Sequence, residues 1–131
     1  MNIKLKTNSD ESRLEFTEIE RYADGSGFGG KLYVLSSGFS GNVFCSFETH
    51  RMNDFIQNLE ACNKTLLGEA ELKSDDDYWF IKFSMGPTGG VGVEGLIHNF
   101  DHELEFEFGT DQTCLASFIG SLKEWSRLES N

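Results

Sequence analysis

The heptapeptide HELEFEF, residues 102–108, alternates strictly between polar and apolar side chains. A period of two is typical of a β-strand that has one face in a core and the other in water. The apolar side chains are therefore predicted to point inward and the acidic ones outward. The inward set is Leu104, Phe106 and Phe108, and the outward set is Glu103, Glu105 and Glu107.

Three more strands are predicted before this one. They are LLGEAELKS (66–74), YWFIKFSM (78–85) and VGVEGLIH (91–98). The segments between them, SDDD, GPTGG and NFD, are short and rich in turn residues. Short connections favour antiparallel neighbours, so the four strands are predicted to form a meander.

Two segments have the helical period instead. In TDQTCLASFIGSLKEWSRLESN (110–131), the apolar face is predicted to contain Leu115, Phe118, Ile119, Leu122, Trp125 and Leu128. Thr110 or Asp111 is the predicted N-cap of this helix. A second helix is predicted over about 50–63, with Thr49 or Asn53 as its cap and Asn63 at its end. Its apolar face contains Met52, Phe55, Ile56, Leu59 and Cys62.

The first part of the chain is predicted to contribute three strands. They are RLEFTEIERY (13–22), KLYVLSS (31–37) and NVFCSFET (42–49), with a glycine-rich turn over 23–30 and a hairpin at GFSG. The order βββαββββα predicts an α+β fold, in which two amphipathic helices pack on a curved antiparallel sheet of about seven strands. The length of 131 residues favours a single domain over 1–131.

Composition restricts the function. Eleven lysines and arginines against 22 aspartates and glutamates give a net charge of −11, which argues against nucleic acid and against anionic membranes as partners. The same charge permits a basic protein partner. No apolar run approaches a membrane span, and the N-terminus lacks a secretory apolar region. The three cysteines form no CxxC pair, which favours reduced thiols and a cytoplasmic location.

The stretch GVGVEG, residues 90–95, fits the glycine pattern G-x-G-x-x-G of dinucleotide-binding proteins. That chemistry requires a helix directly after the glycines, whose N-terminus faces the pyrophosphate. Here the residues that follow have a period of two, so a nucleotide site is not predicted. Gly89 and Gly90 are instead predicted to close a turn, and Gly92 and Gly95 to allow a bulge or sharp curvature.

Other catalytic and metal-binding patterns are incomplete. His98 and His102 have the spacing of a zinc pair but no third ligand nearby in sequence, and SDDD lacks the spacing of a calcium loop. No G-x-S-x-G motif is present, and no cysteine has a local histidine partner. The chain is therefore predicted to be a non-enzyme without catalytic residues, cofactor or metal.

The distribution of acidic residues is more informative. From Asp101 to Asp111, both included, there are five acids and no lysine or arginine. If the strands pair in sequence order, one sheet face combines acidic charge with aromatic rings, as protein-binding surfaces often do. The predicted partner-binding residues are Glu69, Glu71, Glu94, Glu103, Glu105, Glu107, Tyr78 and Phe80. A solvated sheet face without a partner is the alternative interpretation.

The layout resembles that of small bacterial immunity proteins of the WapI-like type and of a neighbouring uncharacterised domain family of similar size. The likeness rests on the first strand RLEFTEIERY, the strand pair KLYVLSSGFSGNVFCSFET, the helix MNDFIQNLEAC, the meander and the closing helix CLASFIGSLKEW. It implies a cytosolic antitoxin-like protein that blocks the toxic domain of a polymorphic toxin, often a basic nuclease. The resemblance brings no catalytic residues.

Three functions follow from these patterns. The first is a non-catalytic cytoplasmic immunity-type protein that binds and occludes a toxin domain. The acidity of the chain predicts that this toxin domain is basic. The second is a small-molecule-binding α+β domain, with a ligand held in the curved sheet near Trp79 and Phe106. The third is a hydrolase in which a cysteine meets a histidine or a carboxylate in a cleft.

Overall fold

The computed structural model describes residues 2–7, 11–74 and 77–129. The chain forms two consecutive ββββα units. The first comprises β1 (Ile3–Leu5), β2 (Ser12–Arg21), β3 (Gly27–Ser36), β4 (Phe39–Glu48) and α1 (Thr49–Thr65). The second comprises β5 (Glu69–Lys73), β6 (Trp79–Met85), β7 (Gly90–Asn99), β8 (His102–Asp111) and α2 (Gln112–Glu129).

Each unit contributes a four-stranded antiparallel meander, with strand orders β1-β2-β3-β4 and β5-β6-β7-β8. The predicted α+β class is confirmed, and the predicted order is approximately right. The structure adds the short strand β1, whose three residues are too few to show a period. It also divides the strands between two sheets, because α1 separates β4 from β5 and each set of four pairs only within itself.

One continuous core joins both sheets and both helices. The rings of Phe47 on β4 and Trp79 on β6 meet edge to face, with centroids 6.3 Å apart, and so connect the two sheets. Phe28 contacts Trp125 of α2 at 4.6 Å. The predicted apolar faces of the helices are buried, except that Leu128 at the end of α2 is exposed. The helices lie side by side and are linked by a Lys123–Glu60 ion pair of 3.1 Å.

The predicted glycine-rich turn over 23–30 is too long, because Gly27, Gly29 and Gly30 belong to strand β3. The turn is shorter, with Tyr22 N–H donating to the Gly27 carbonyl at 2.8 Å, and β3 begins at Gly27. A Cβ on Gly30 would lie 2.7 Å from Ile19 Cγ1, and one on Gly29 would lie 2.5 Å from Tyr22 Oη. Glycine is therefore needed at these positions because neighbouring atoms leave no room for a Cβ within the strand. In the sequence alone, the same run of glycines is typical of a turn, which is why the turn was predicted to be longer.

The helix ends were predicted with mixed success. Glu48, rather than Thr49 or Asn53, occupies the N-cap of α1 in an extended conformation. The helix also continues past Asn63 to Thr65 and ends in a left-handed Leu66. For α2 the predicted cap is confirmed, since the Asp111 carboxylate accepts a 2.8 Å hydrogen bond from the backbone N–H of Cys114.

The GVGVEG segment lies inside β7. This strand pairs with β6 and β8 in an unbroken register, so the predicted bulge at Gly92 or Gly95 is wrong. The bulge among the described strands lies instead in β2, between Thr17 and Glu20. Gly95 has a packing role, because a Cβ there would lie 2.5 Å from Cζ of Phe106. The turn glycine Gly89 does have a positive φ of 87°.

The turn predicted from SDDD falls partly on residues 75 and 76, which lie outside the described residues. On either side of them, the Ser74 backbone N–H donates to the Trp79 carbonyl at 3.0 Å. The Ser74 hydroxyl accepts hydrogen bonds from the N–H groups of Tyr78 and Trp79. Ser74 thereby sets the start of β6, the strand that supplies the aromatic part of the candidate site.

Candidate functional site

The outer face of the second sheet brings together the acidic residues predicted to bind a partner. The β7–β8 register places Glu94 opposite Glu107, Leu96 opposite Glu105, and His98 opposite Glu103. On the same face, toward the β5 edge of the sheet, Glu71 lies opposite Lys82. We call this surface the acidic face, and its glutamates are Glu69, Glu71, Glu94, Glu103, Glu105 and Glu107.

The two cations of the acidic face lie at one side of it, on β5 and β6. Lys82 forms ion pairs with Glu69 at 2.5 Å and with Glu94 at 3.9 Å. The hydrogen bond that the Lys82 ammonium donates to the Glu69 carboxylate, followed by the negative charge of Glu69, raises the pKa of Lys82. Lys73 is the other cation. Along β8, the three glutamates make no ion pair with any residue in the described ranges.

An apolar centre lies within the acidic face. Phe80 of β6 is directly opposite Leu96 of β7, and both are half-buried. They line a shallow depression of about 480 Å³ that Glu94, Glu105 and Glu107 also line. A partner side chain placed there would contact a ring and a leucine within a surround of carboxylates.

Tyr78 extends this aromatic part toward the end of the sheet. Its exposed ring packs against the ring of His98, with centroids 5.5 Å apart. Its carbonyl accepts a 2.9 Å hydrogen bond from the His98 backbone N–H, which continues the pairing of β6 with β7. The structure thus places all eight predicted residues on one sheet face. Their role in partner binding remains a prediction.

A second surface was missed by sequence reasoning. A groove of about 510 Å³ opens between the β3–β4 and β7–β8 hairpins, and Phe39, Ile97, Phe100 and Leu104 supply its apolar lining. Phe39 and Phe100 are 70% and 90% exposed. The only sequence signal was a phenylalanine inside each of two turn motifs, GFSG and NFD. We call this surface the Phe39–Phe100 groove.

Comparison with known proteins adds a family. The model of the immunity protein WapI-like family matches residues 4–127. The chain belongs to this family. Membership implies an immunity role with a protein toxin as the partner. A comparison with curated protein sequences finds no match.

Solved structures share the fold at low sequence identity. MRP1/MRP2 of Trypanosoma brucei matches with a TM-score of 0.59 and 10% identity, covering 100% of this chain and 85% of that one. WHY3 of Arabidopsis thaliana has a TM-score of 0.57 and 8% identity, covering 96% of this chain and 86% of that one. WHY1 of the same plant has a TM-score of 0.55 and 11% identity, covering 96% and 88%. At these identities the likeness concerns the fold alone.

The histidine pair of this WapI-like family member is separated by the sheet. His98 lies on the acidic face opposite Glu103, whereas His102 pairs with Asn99 on the other face. Alternation along each strand therefore directs the two imidazoles to opposite sides. Within residues 2–7, 11–74 and 77–129, no group of three or more histidine, cysteine, aspartate or glutamate side chains is arranged to hold a metal ion.

Cys45 and Cys62 are buried, whereas Cys114 is half-buried. Burial raises the pKa of the Cys45 thiol from 9.0 to about 12. Burial, followed by the charge of Glu69, also raises the pKa of the Cys62 thiol. Both groups therefore stay protonated near neutral pH, whereas a cysteine nucleophile requires a thiolate. The hydrolase hypothesis gains no support from these two residues.

The proposed ligand position near Trp79 and Phe106 is also packed. Trp79 is 1% exposed and Phe106 is 5% exposed. The Phe47 ring contacts Trp79, and the Phe108 ring stacks on Phe106 at a centroid distance of 6.1 Å. Side chains thus occupy the interior in which the ligand was predicted to bind.

Among the described residues, no helix is long and apolar enough to cross a membrane.

Proposed function

We propose that this immunity-family protein is a non-catalytic inhibitor that acts in the bacterial cytoplasm and binds a cognate toxin domain through the acidic face. Binding blocks the toxin by covering its functional surface. The observation that carries the proposal is the in-register pair Glu94–Glu107, flanked on β8 by Glu103 and Glu105. The toxin surface is proposed to be basic.

The physical argument starts from the stability of the sheet. Like charges directly opposite each other on neighbouring strands destabilise a sheet by a few tenths of a kcal/mol or more. The chain nevertheless places Glu94 opposite Glu107. On its other side Glu94 lies opposite Lys82, whose ammonium nitrogen is 3.9 Å away and is closer to Glu69, so Glu107 itself gains no cation from this pairing. A cationic partner surface would relieve this repulsion, so the same carboxylates that weaken the free sheet would stabilise the complex.

The apolar centre supplies the other half of a binding surface. Charges accelerate encounter and select the sign of the partner, whereas buried apolar contacts supply much of the lifetime of a complex. Phe80 and Leu96 lie beside each other within the ring of glutamates. A partner side chain seated on them would be shielded from water by the surrounding charged contacts.

The test uses candidate toxin domains encoded in the genomic neighbourhood of this chain, each inactivated by a substitution in its own catalytic site. Stopped-flow measurements would give the association rate between about 50 and 500 mM salt. We expect a stable one-to-one complex whose association slows steeply as salt screens the charges. Co-expression with the active toxin should restore growth.

Hydrogen exchange on the complex locates the interface. Backbone amides of β7 and β8 should become protected, while those of β2 should exchange as in the free protein. The absence of a complex would refute the proposed function. A complex that forms at the same rate at every salt concentration, with protection confined to the first sheet, would show that the acidic face is the wrong surface.

A further inference from the structure

The Phe39–Phe100 groove is the open end of the space between the two sheets. Phe39 begins β4 and Phe100 lies in the tight turn between β7 and β8. Between them, Ile97 and Leu104 form the apolar floor, where the core reaches the surface. Two exposed phenyl rings therefore flank a concave apolar surface, an arrangement that a protein seldom presents to water without use.

The backbone of Phe100 is the second observation. Its φ is +56°, in the left-handed region that favours glycine and asparagine. The ring is 90% exposed, so packing within the chain does not offset the cost of this conformation. A two-residue hairpin turn ordinarily carries asparagine or glycine there. A strained and exposed phenylalanine motivates the hypothesis that the ring itself has a function.

The groove is formed in the free protein. A Cβ on Gly41 would lie 2.9 Å from Ile97 Cδ1, so glycine at this position keeps the floor open. The Asn99 side-chain amide donates to the Asn42 carbonyl at 3.5 Å, across the gap between β7 and β4. This long, exposed hydrogen bond adds to the core packing that places the two hairpins beside each other, so the groove needs no large rearrangement before binding.

Charge indicates what binds in the groove. Glu103 belongs to both surfaces, since it lines the groove and begins the row of β8 carboxylates on the acidic face. Asp101, next to Phe100, is exposed. An apolar side chain that enters the groove therefore lies near carboxylates, and a lysine or arginine beside it in the partner would be favoured.

We infer that the Phe39–Phe100 groove is the anchor site for the toxin, and that it receives an apolar side chain flanked by lysine or arginine on the toxin surface. This inference rests on the proposed function. Phenylalanine is enriched in the cores of protein interfaces, and hot spots lie in pockets that lose their water when the partner binds. The acidic face then directs the approach of the toxin, and the groove adds an apolar anchor that lengthens the lifetime of the complex beyond what Phe80 and Leu96 provide.

Substitution of Phe100 separates binding from folding. Phe100→Asn places a residue that tolerates positive φ in the turn, so the melting temperature should stay equal or rise. Binding to the inactivated toxin domain should weaken at least about tenfold, chiefly through faster dissociation. Phe39→Ser should also weaken binding. Phe44→Ser is the matched control, because Phe44 is 64% exposed on β4 but belongs to the opposite face of that strand.

A toxin complex that Phe100→Asn and Phe39→Ser leave unchanged would overturn the inference while the proposed function stands. Equal weakening by Phe44→Ser would overturn it as well, because the loss would then follow from removing any exposed ring. Analytical ultracentrifugation of the free protein supplies a further check. A dimer that Phe100→Asn dissociates would assign the groove to a second copy of the chain.

A peptide probe tests the groove even if the toxin domain does not bind. Acetyl-Lys-Leu-Lys-amide, titrated to millimolar concentration, should shift the NMR methyl signals of Ile97 and Leu104. Acetyl-Glu-Leu-Glu-amide and the Phe100→Asn protein should each give shifts at least about fivefold smaller at the same concentration. The same shifts with both peptides, or none with either, would show that the groove lacks the proposed chemistry.

Discussion

The two sheets have the same topology but very different outer faces. On the first sheet, Lys4, Arg13 and Lys31 lie among Glu15, Glu18, Glu20 and Glu48, so the net charge is −1. On the second sheet, the six glutamates of the acidic face and two lysines give −4. One antiparallel meander thus carries nearly balanced charge, whereas the other carries an excess of one sign.

The arrangement of the charges differs even more than their sum. On the first sheet, Lys4 lies opposite Glu15, Lys31 pairs with Glu18 at 3.6 Å, and the Arg13 guanidinium lies 5.2 Å from the centroid of Tyr33. On the second sheet, Glu94 faces Glu107. The first face intersperses cations among its acids, whereas along β8 the second face carries a row of glutamates with no cation on the same strand. The following predictions test this difference.

The largest expected effect is on the association rate, when three glutamates are replaced by lysine on one sheet face or on the other. The triple variant Glu103→Lys, Glu105→Lys and Glu107→Lys should slow association with the toxin domain by about 100-fold at low salt. The matched control reverses three acids of the first sheet, Glu15, Glu18 and Glu20. It has the same net charge and should slow association only severalfold. Stopped-flow fluorescence measures both rates, and equal slowing would show that only total charge matters.

The next effect concerns the packing beneath the acidic face. Gly95→Ala should lower the free energy of unfolding by about 2 kcal/mol, because its Cβ meets the Phe106 ring and the Phe80 carbonyl. Gly92→Ala, in the same strand, is the control, since a Cβ there has as its nearest neighbour the Ser84 carbonyl oxygen at 3.8 Å. Urea unfolding measures the difference. Equal losses for both variants would indicate a general strand effect.

A smaller effect is expected on the first face. Arg13→Ala removes the contact with the Tyr33 ring and should destabilise the fold by about 0.5–1 kcal/mol. The affinity for the toxin domain should stay within twofold of the unchanged protein. Urea unfolding and calorimetric titration measure the two quantities. A large loss of affinity with unchanged stability would assign partner binding to the first face as well.

The smallest effect concerns Lys82, whose pKa is raised by Glu69. A raised folded-state pKa means that its contribution to stability is present below the ordinary value of 10.5 and is lost as the pH rises through the folded-state pKa. Lys82→Gln should therefore lower the urea midpoint slightly at pH 7 and less at pH 11. In a Glu69→Gln background this pH dependence should become smaller, because only the weaker effects of Glu94 and Glu71 then raise the pKa of Lys82. An undiminished pH dependence would show that Glu69 is not its main source.

Much of the second sheet was predictable from the sequence, for a local reason. Leu104, Phe106 and Phe108 alternate with glutamates, and short turns fix the order of the strands. The helices were equally predictable, because apolar residues that recur every 3.6 positions identify the buried face of a helix without information from other segments. Where backbone contacts between distant segments decided the outcome, as at Gly27–Gly30 and at Gly95, the sequence suggested a turn or a bulge instead.

The alternation of residue types by itself determined which side chains face water, because in a strand or helix that choice depends on neighbours a few positions away. It therefore determined the acidic face. Only the tertiary structure decided that the strands divide into two sheets and that Phe39 and Phe100 flank one groove. The two rings lie on hairpins far apart in the chain, and packing of one sheet against the other brings them together.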